Sequence, residues 1–410
     1  MKADLDRLMA ERALDVLIII KRGSTEVMSM KYVTGGVSLG EAFYIKKRNA
    51  APLLISSEFE REEAAKSGIE VKILADFGYK QLLAEHKNVI AAQAALWDRI
   101  FDTFGLRGRV GFYGLANPGV IFHVLTRLVR ARPDLELVGE GGTDIFTAAA
   151  RTKSADEIAH LRDAAQRTCD VMTQTRDYIV SHVVREETLI KPNGTPLTIG
   201  DVKRFVRARL LDNNLEDTEG MIFAQGRDGG IPHSKGTEDA ALVLGKPIVF
   251  DLYPRSIETG YFHDMTRTWC LGHAPADVQA AYAQVMEVFD CVTAALKVGE
   301  KCRQYQDMAC EIFECYGHKT LRSKERSLEG YVHSLGHGIG LNIHEAPRFS
   351  QFAPNDVIDV GNAFTVEPGL YYPDSAGKGW GVRVEDSFYV SESGAIVSMS
   401  TVPKDLVIRM

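Results

Sequence analysis

The chain has 410 residues, of which 45% are hydrophobic and 25% charged, and its formal net charge is −7. This length exceeds that of a usual single domain, so we expect two domains, each with its own core. The negative charge and the lack of a basic run argue against a nucleic-acid or anionic-membrane partner. The longest early apolar run, Val16–Ile20, is too short for a signal sequence or a membrane span, so we expect a cytoplasmic protein.

The first part of the chain alternates predicted helices and strands. Apolar residues at helical spacing predict an amphipathic helix over residues 2–13, and a buried strand follows at 15–21. Further strands are predicted at 42–45, 52–56 and 109–112, with helical stretches near 58–67 and 118–131. This alternation predicts an α/β domain over residues 1–145. No glycine-rich phosphate loop follows any of its strands, so we assign it no nucleotide.

The stretch 138–143 contains three glycines and predicts a hinge, so we place a second domain at 150–410. A long helix is predicted to begin after Ser154, because Ser154 and Glu157 have the spacing of a capping box. Further helices are predicted at about 276–296 and 304–315. The six cysteines form no C-x-x-C pair, and we expect them to be reduced and mostly buried.

Carboxylates recur in short apolar strands of the second domain. Asp251, Asp264, Glu367 and Glu385 each lie in such a context, where an unpaired acid is costly to bury. In a strand, side chains alternate between two faces. Asp264, Thr266 and Thr268 therefore share one face, whereas His263 and Arg267 point the other way. By the same reasoning, Arg383 shares a face with Glu385, and Asp386 lies on the opposite face.

The segment 334–347 packs glycines around His337 and returns a second histidine, His344, seven residues later. Histidine is the commonest metal ligand among side chains. Four carboxylates with one imidazole suit Mn, Co, Zn or Fe(II), and two divalent ions would balance the four negative charges. Without metal ions, four converging carboxylates would raise one another's pKa values. The pattern therefore predicts a two-metal hydrolytic site.

The combination of these segments resembles the pita-bread metallopeptidases, the group of methionine aminopeptidase, aminopeptidase P, prolidase and creatinase. The similarity covers nearly the whole chain, with a creatinase-like N-terminal domain before the catalytic domain. It is carried by these segments: Gly260–Tyr261 with Asp264–Thr268, Gly336–Gly340 with His344–Glu345, Thr365–Gly369, and Arg383–Asp386. The resemblance implies that two metal ions are held by Asp251, Asp264, His337, Glu367 and Glu385.

Three further histidines match the proline-directed branch of this group. His333 lies four residues before His337, as in aminopeptidase P and prolidase. His344 matches the histidine that contacts the scissile carbonyl, and His233 matches a substrate histidine upstream of the first ligand, with a looser alignment. The resemblance also makes Glu367 the candidate for proton transfer. Arg383 is expected either to bind a substrate carboxylate or to pair with Glu385.

One spacing departs from the family pattern. The family has Asp-x-Gly with the next ligand eleven residues on, whereas Asp251 lies thirteen residues before Asp264 and Tyr253 lies eleven before it. Either two extra residues in the hairpin leave Asp251 as the ligand, or Tyr253 occupies the ligand position and weakens one metal site. We favour the insertion, because residues 254–258 resemble turn material that can absorb it.

The resemblance implies metal-dependent hydrolysis of the Xaa-Pro bond in short peptides, with Mn or Co preferred over Zn or Fe. It also implies a homodimer. The alternatives are another reaction on the same fold, such as that of a metal-using lyase or a creatinase-like hydrolase, and a binding module without catalysis. The sequence leaves open whether the peptidase is a dipeptidase or an aminopeptidase.

Overall fold

A computed structural model describes residues 4–23, 25–323, 327–374 and 379–410. The chain divides into two compact units, Met1–Ala150 and Arg151–Met410. Residues 2 and 3 of the first predicted helix lie outside the described residues. Among those that are described, no helix has the length and apolar character needed to cross a membrane.

The first unit has α/β architecture, as predicted. Its helices are α1 (Asp4–Glu11), α2 (Met28–Thr34), α3 (Arg61–Ala65), α4 (Tyr79–His86), α5 (Val89–Phe104), α6 (Pro118–Ala131) and α7 (Ile145–Ala150). Its strands are β1 (Val16–Arg22), β2 (Glu41–Lys47), β3 (Leu53–Ser56), β4 (Glu70–Ile73), β5 (Gly108–Leu115) and β6 (Leu135–Val138).

These strands form one six-stranded sheet in the order β4-β3-β2-β1-β5-β6. β1 runs parallel to β5 and antiparallel to β2, and both faces of its apolar run are buried. Ile18 and Ile20 pack with Trp97 and Ile100 of α5 in the core of this unit. A continuous run of branched apolar residues is what a strand covered on both faces requires.

The second unit is built from longer helices and shorter strands. The helices are α8 (Ala155–Val180), α9 (Ile199–Asp212), α10 (Ala276–Ala295) and α11 (Cys302–Cys315). The strands are β7 (Val183–Arg185), β8 (Thr188–Ile190), β9 (Leu215–Glu216), β10 (Ile222–Gln225), β11 (Pro247–Leu252), β12 (Arg255–Ser256), β13 (Met265–Leu271), β14 (Gly336–Gly338), β15 (Glu345–Phe349), β16 (Ala363–Val366), β17 (Gly369–Tyr372), β18 (Trp380–Arg383), β19 (Asp386–Val390), β20 (Ile396–Ser398) and β21 (Val407–Ile408).

Two sheets of this unit carry the predicted ligands. One has the order β10-β11-β13-β21, and the other has the order β15-β14-β16-β19-β20. A bridge between Thr266 and Glu385 joins them next to the predicted ligand positions. The six cysteines are all free, and Cys291 and Cys315 are the two that are exposed.

The predicted capping box begins α8. The Ser154 side chain accepts a hydrogen bond from the Glu157 backbone N–H, and the Glu157 carboxylate accepts one from the Ser154 N–H at 2.9 Å. Two N–H groups at the start of the helix are thereby satisfied. The cap fixes where the longest helix of the second unit begins.

Ser154→Ala should lower the free energy of unfolding by about 1 kcal/mol, because the helix loses its capping acceptor. Ser181→Ala is a suitable control, since this exposed serine lies at the other end of α8 and its hydroxyl contacts only the Tyr178 carbonyl in the described structure. Denaturant unfolding of both variants measures the difference. Equal stability of the two variants would contradict the cap's contribution.

Candidate metal centre

Three of the predicted ligands converge on one point. Asp264, His337 and Glu385 each offer a ligand atom, and these atoms all lie within 4.8 Å of one another. Asp264 immediately precedes β13, His337 is in the middle of β14, and Glu385 lies between β18 and β19. All three residues are buried. Residues far apart in the chain thus supply one group of metal-ligating atoms.

The other two predicted ligands lie beside this group. His337 Nε2 is 3.6 Å from Asp264 Oδ2 and also 3.6 Å from Glu367 Oε1. Asp251 lies opposite Thr266 in the pairing of β11 with β13, and the Thr266 hydroxyl donates to Glu385 Oε2 at 2.8 Å. The structure therefore brings Asp264, His337, Glu367 and Glu385 together, and Thr266 links Asp251 to Glu385.

The imidazole of His337 is oriented as a ligand. Its Nδ1 lies 3.0 Å from the Gly338 carbonyl oxygen, which can only accept a hydrogen bond, so Nδ1 carries the proton. Burial and the neighbouring His344 lower the pKa of His337 to about 3, and the ring is neutral at pH 7. Nε2 thus presents a lone pair to the carboxylates, an arrangement that a cation between them would satisfy.

Burial and mutual repulsion raise the pKa values of these carboxyl groups, as the sequence predicts for converging acids without metal ions. Burial, followed by the charge of Asp251, raises the pKa of Glu385 to about 8. Burial and the charge of Glu385 raise the pKa values of Asp264 and Glu367 well above the usual range. Like charges held together in a low dielectric disfavour ionisation.

The donor atoms fit a divalent metal. Asp251 Oδ1, Asp264 Oδ1 and Glu385 Oε1 are buried, and none has a hydrogen-bond partner in the described structure. Ionised carboxylate oxygens only accept, and burying them without a partner is costly. Oxygen ligands with a single imidazole suit Mn, Co, Zn or Fe. Because no protein donor occupies these oxygens among the described residues, they are free to bind a cation.

Arg383 is the cation that touches this group. Its Nη2 donates to Asp251 Oδ2, its Nε to Thr266 Oγ1 at 3.0 Å, and its Nη1 to the Tyr371 hydroxyl at 3.0 Å. Its recorded ion-pair partner is therefore Asp251, and not Glu385 as the sequence suggested as one alternative. Thr266 in turn donates to Glu385 Oε2 at 2.8 Å. The other role predicted for Arg383, the binding of a substrate carboxylate, stays a prediction.

Two of the predicted substrate histidines lie beside the ligands. The ring centroids of His337 and His344 are 4.4 Å apart, and His344 is exposed. His333 Nδ1 is 3.8 Å from Glu367 Oε2 and 2.8 Å from the Ser334 carbonyl oxygen. The other ring nitrogen of His333, Nε2, is 2.8 Å from the Tyr371 hydroxyl. The third, His233, is exposed, and no contact joins it to the ligands among the described residues.

The hairpin that carries the first two acids accommodates the unusual spacing. Asp251 pairs with Thr266 in the β11–β13 register, so Asp251 and Asp264 face the same side. The Tyr253 hydroxyl donates to the Gly220 carbonyl at 2.6 Å. Beyond β11, Arg255–Ser256 forms β12 and pairs with β9. This arrangement favours an insertion in the turn, with Asp251 in the ligand position.

The residues predicted to face away from the ligands have other partners. Asp386 Oδ1 accepts from Arg267 Nη2 at 2.8 Å, and both side chains are buried. His263 is fully buried beside Ser400, and burial together with Arg267 lowers its pKa to about 3. The alternation of strand faces thus separates the ligands from a structural ion pair, as predicted.

Sequence comparison identifies the family. The sequence model of metallopeptidase family M24 matches residues 159–392. This chain belongs to metallopeptidase family M24. The predicted resemblance to a family of metallopeptidases is confirmed.

Two curated relatives illustrate the similarity of this M24 chain. The protein named "Probable dipeptidase PepE" of Mycobacterium tuberculosis is 29% identical over 267 residues, which cover 65% of this chain and 63% of that protein. The Xaa-Pro dipeptidase of Pyrococcus furiosus is 34% identical over 174 residues, 42% of this chain and 45% of that protein. The chain thus spans less than two thirds of the length of the curated relatives that it matches.

Solved structures extend the similarity to both units. The Xaa-Pro dipeptidase from Bacillus anthracis superposes with a TM-score of 0.76 at 20% identity and covers 99% of each chain. The prolidase from Pyrococcus horikoshii gives a TM-score of 0.73 at 21% identity, again over 99% of each chain. At this identity the similarity establishes the fold alone, and the predicted pita-bread fold is confirmed.

The metal-free protein should lose stability as the pH rises from 7.5 to 8.5. The folded state keeps a proton on Glu385 up to a pKa of about 8, whereas the unfolded chain loses it near 4.5, so the folded state binds more protons in this window. Above pH 7.5 the histidine side chains of an unfolded chain, with an ordinary pKa of about 6.5, hold few protons. Thermal unfolding after chelation measures the slope.

Glu385→Gln should flatten that slope, and added Mn²⁺ should abolish it by compensating the carboxylates. A melting temperature of the metal-free protein that stays constant or rises between pH 7.5 and 8.5 would contradict the raised pKa of Glu385.

Proposed function

We propose that this chain hydrolyses the Xaa-Pro bond of short peptides with two divalent metal ions. The observation that carries the proposal is the buried group of Asp264, His337 and Glu385, whose carboxylates retain unpaired oxygens. The relatives named as Xaa-Pro dipeptidases support the choice of substrate. The finer assignments, namely a cytoplasmic location and a homodimer, are likewise proposals that rest on the sequence.

The ions would be held by Asp251, Asp264, His337, Glu367 and Glu385. Mn or Co is our preferred metal, with Zn or Fe as the other candidates, because this donor set accepts all four. Such ions would lower the pKa of water at the site, so that hydroxide would be available near pH 7. Arg383 would hold the Asp251 carboxylate in place through its Nη2 donor.

His344 would stabilise negative charge on the scissile carbonyl oxygen. Burial and Arg348 lower its pKa, so the ring is neutral at pH 7 and offers one N–H donor. A donor aimed at a developing oxyanion acts on the transition state more than on the bound substrate. The exposed ring of His344 next to His337 suits a group that meets substrate at the mouth of the site.

Glu367 would move the proton. Its carboxylate lies in the predicted ligand group, 3.6 Å from His337 Nε2, where it would take a proton from the attacking water and give it to the proline nitrogen. His333 would help position the substrate near Glu367, with His233 on the exposed side. The His333 ring is itself held between the Ser334 carbonyl and the Tyr371 hydroxyl.

Asp251→Ala should lose at least one metal ion per chain, because it removes a carboxylate from the group and frees Arg383. Tyr253→Phe should keep the full metal content, since its hydroxyl contacts the Gly220 carbonyl. Elemental analysis after dialysis measures both variants. Unchanged metal in Asp251→Ala, or loss of metal in Tyr253→Phe alone, would instead place Tyr253 at the ligand position.

Metal-stripped protein resupplied with Mn or Co should cleave Ala-Pro or Ala-Pro-Phe and leave Ala-Ala-Phe intact. Cleavage of the dipeptide in preference to the tripeptide would indicate a dipeptidase, and the reverse an aminopeptidase. Glu367→Ala should lose about 100-fold or more in kcat, since it removes both a ligand and the proton carrier. Liberated alanine is the quantity to measure, because cleavage of the first peptide bond releases it from each of the three peptides.

Failure to cleave all three peptides, with metal verified by elemental analysis, would contradict the proposed peptidase. It would favour another reaction on this fold or a binding module.

A further inference from the structure

Lys153, which precedes α8, forms a buried ion pair with Glu345. Lys153 Nζ lies 2.8 Å from Glu345 Oε2, and the two side chains are 1% and 3% exposed. The backbone N–H of Lys153 also donates to the Gly361 carbonyl at 2.7 Å. Taking two charges out of water is costly, so a buried pair is weak evidence for stability alone. Such a pair can instead fix the relative position of the segments that it joins.

The Glu345 carboxylate organises the turn that carries His344. Its Oε1 accepts from the Asn342 N–H at 2.9 Å, while Oε2 accepts from Lys153. A Cβ atom at Gly340 would lie 2.5 Å from the same carboxylate, so the chain wraps closely around it. The Gly340 carbonyl accepts from the Phe262 N–H at 2.9 Å, which ties the turn to the segment before Asp264.

His344 has no comparable support of its own. Within the described residues, its side chain makes no hydrogen bond, and its recorded ring contact is with His337. An exposed side chain without polar partners takes its position from its backbone. That backbone belongs to the 340–345 turn, which closes on the Glu345 carboxylate, and Glu345 is fixed by Lys153.

We propose that Lys153 is a positioning residue, which acts through Glu345 to hold His344 where it meets the substrate. The proposal rests on the proposed function for its effect on turnover, but the geometry of the turn does not. Displacing a group by about 1 Å can cost about 100-fold in rate. Loss of Lys153 should therefore lower kcat while KM and metal content stay close to those of the parent protein.

The test uses Lys153→Met and the double variant Lys153→Met/Glu345→Gln, which leaves no unpaired buried charge. Lys46→Met is the matched control, since Lys46 is a buried lysine of the first unit that pairs with Asp6 at 2.9 Å. The double variant should melt near the parent temperature and still lose about tenfold or more in kcat. Lys46→Met should lower the melting temperature without changing kcat.

A combination with His344→Ala separates positioning from general damage. If Lys153 acts through His344, adding Lys153→Met to His344→Ala should cause no further loss of kcat, because residues acting as one unit are not additive. An equal loss on both backgrounds would overturn the proposal. So would loss of metal from the double variant, or a double variant with the parent kcat.

A second readout does not depend on activity. Diethyl pyrocarbonate modifies accessible neutral imidazoles, and mass spectrometry can follow His344 alone. Its modification rate should change at least about threefold in the double variant and stay unchanged in Lys46→Met. If the parent protein cleaves no peptide, the proposed function fails, whereas an altered rate at His344 still supports the role of Lys153. An unchanged rate overturns it.

Discussion

Repulsion between the predicted ligand carboxylates is the constraint on which the second unit depends. Asp251, Asp264, Glu367 and Glu385 converge around one neutral imidazole, and Arg383 is the one cation that touches them among the described residues. A single positive charge does not balance four acids, as the raised pKa values of Asp264, Glu367 and Glu385 record. Strands from two sheets hold the acids in this unfavourable arrangement. Cations would remove the cost, so folding and metal binding are thermodynamically linked here.

The glycines around His337 allow neighbouring backbone segments to pack closely. A Cβ at Gly336 would lie 2.0 Å from the Thr365 carbonyl oxygen, and one at Gly338 would lie 2.2 Å from that of Ala346. β14 thus fits between β15 and β16 only because these positions lack side chains. This close packing fixes His337 relative to Glu367, which follows β16. A side chain at Gly336 or Gly338 would displace β14 and, with it, the predicted ligand His337.

Strand alternation and helix-capping patterns correctly predicted features that depend on residues close together in the chain. The period of two correctly separated Asp264 and Thr266 from Arg267, and the spacing of Ser154 and Glu157 correctly marked the start of α8. Tyr371 was missed, since it lies in an ordinary apolar strand. Its hydroxyl joins Arg383 to His333 only because β17 pairs with β18 and Gly330 bridges to Tyr371. Asp251, the partner of Arg383, is 132 residues away in the chain, and no local pattern indicates such a contact.

The spacing between ligands illustrates the same distinction. Counting residues from Asp264 placed Tyr253 at the ligand position as one alternative, yet Asp251 pairs with Thr266 and shares its face with Asp264. Strand register determines which side chains meet, and a turn can lengthen without changing either strand. Here the segment after β11 contains the short strand β12, which pairs with β9, and the register of β11 with β13 is continuous. Whether a metallopeptidase of this fold keeps its ligands should therefore be judged from the register of the hairpin and not from the number of residues between the acids.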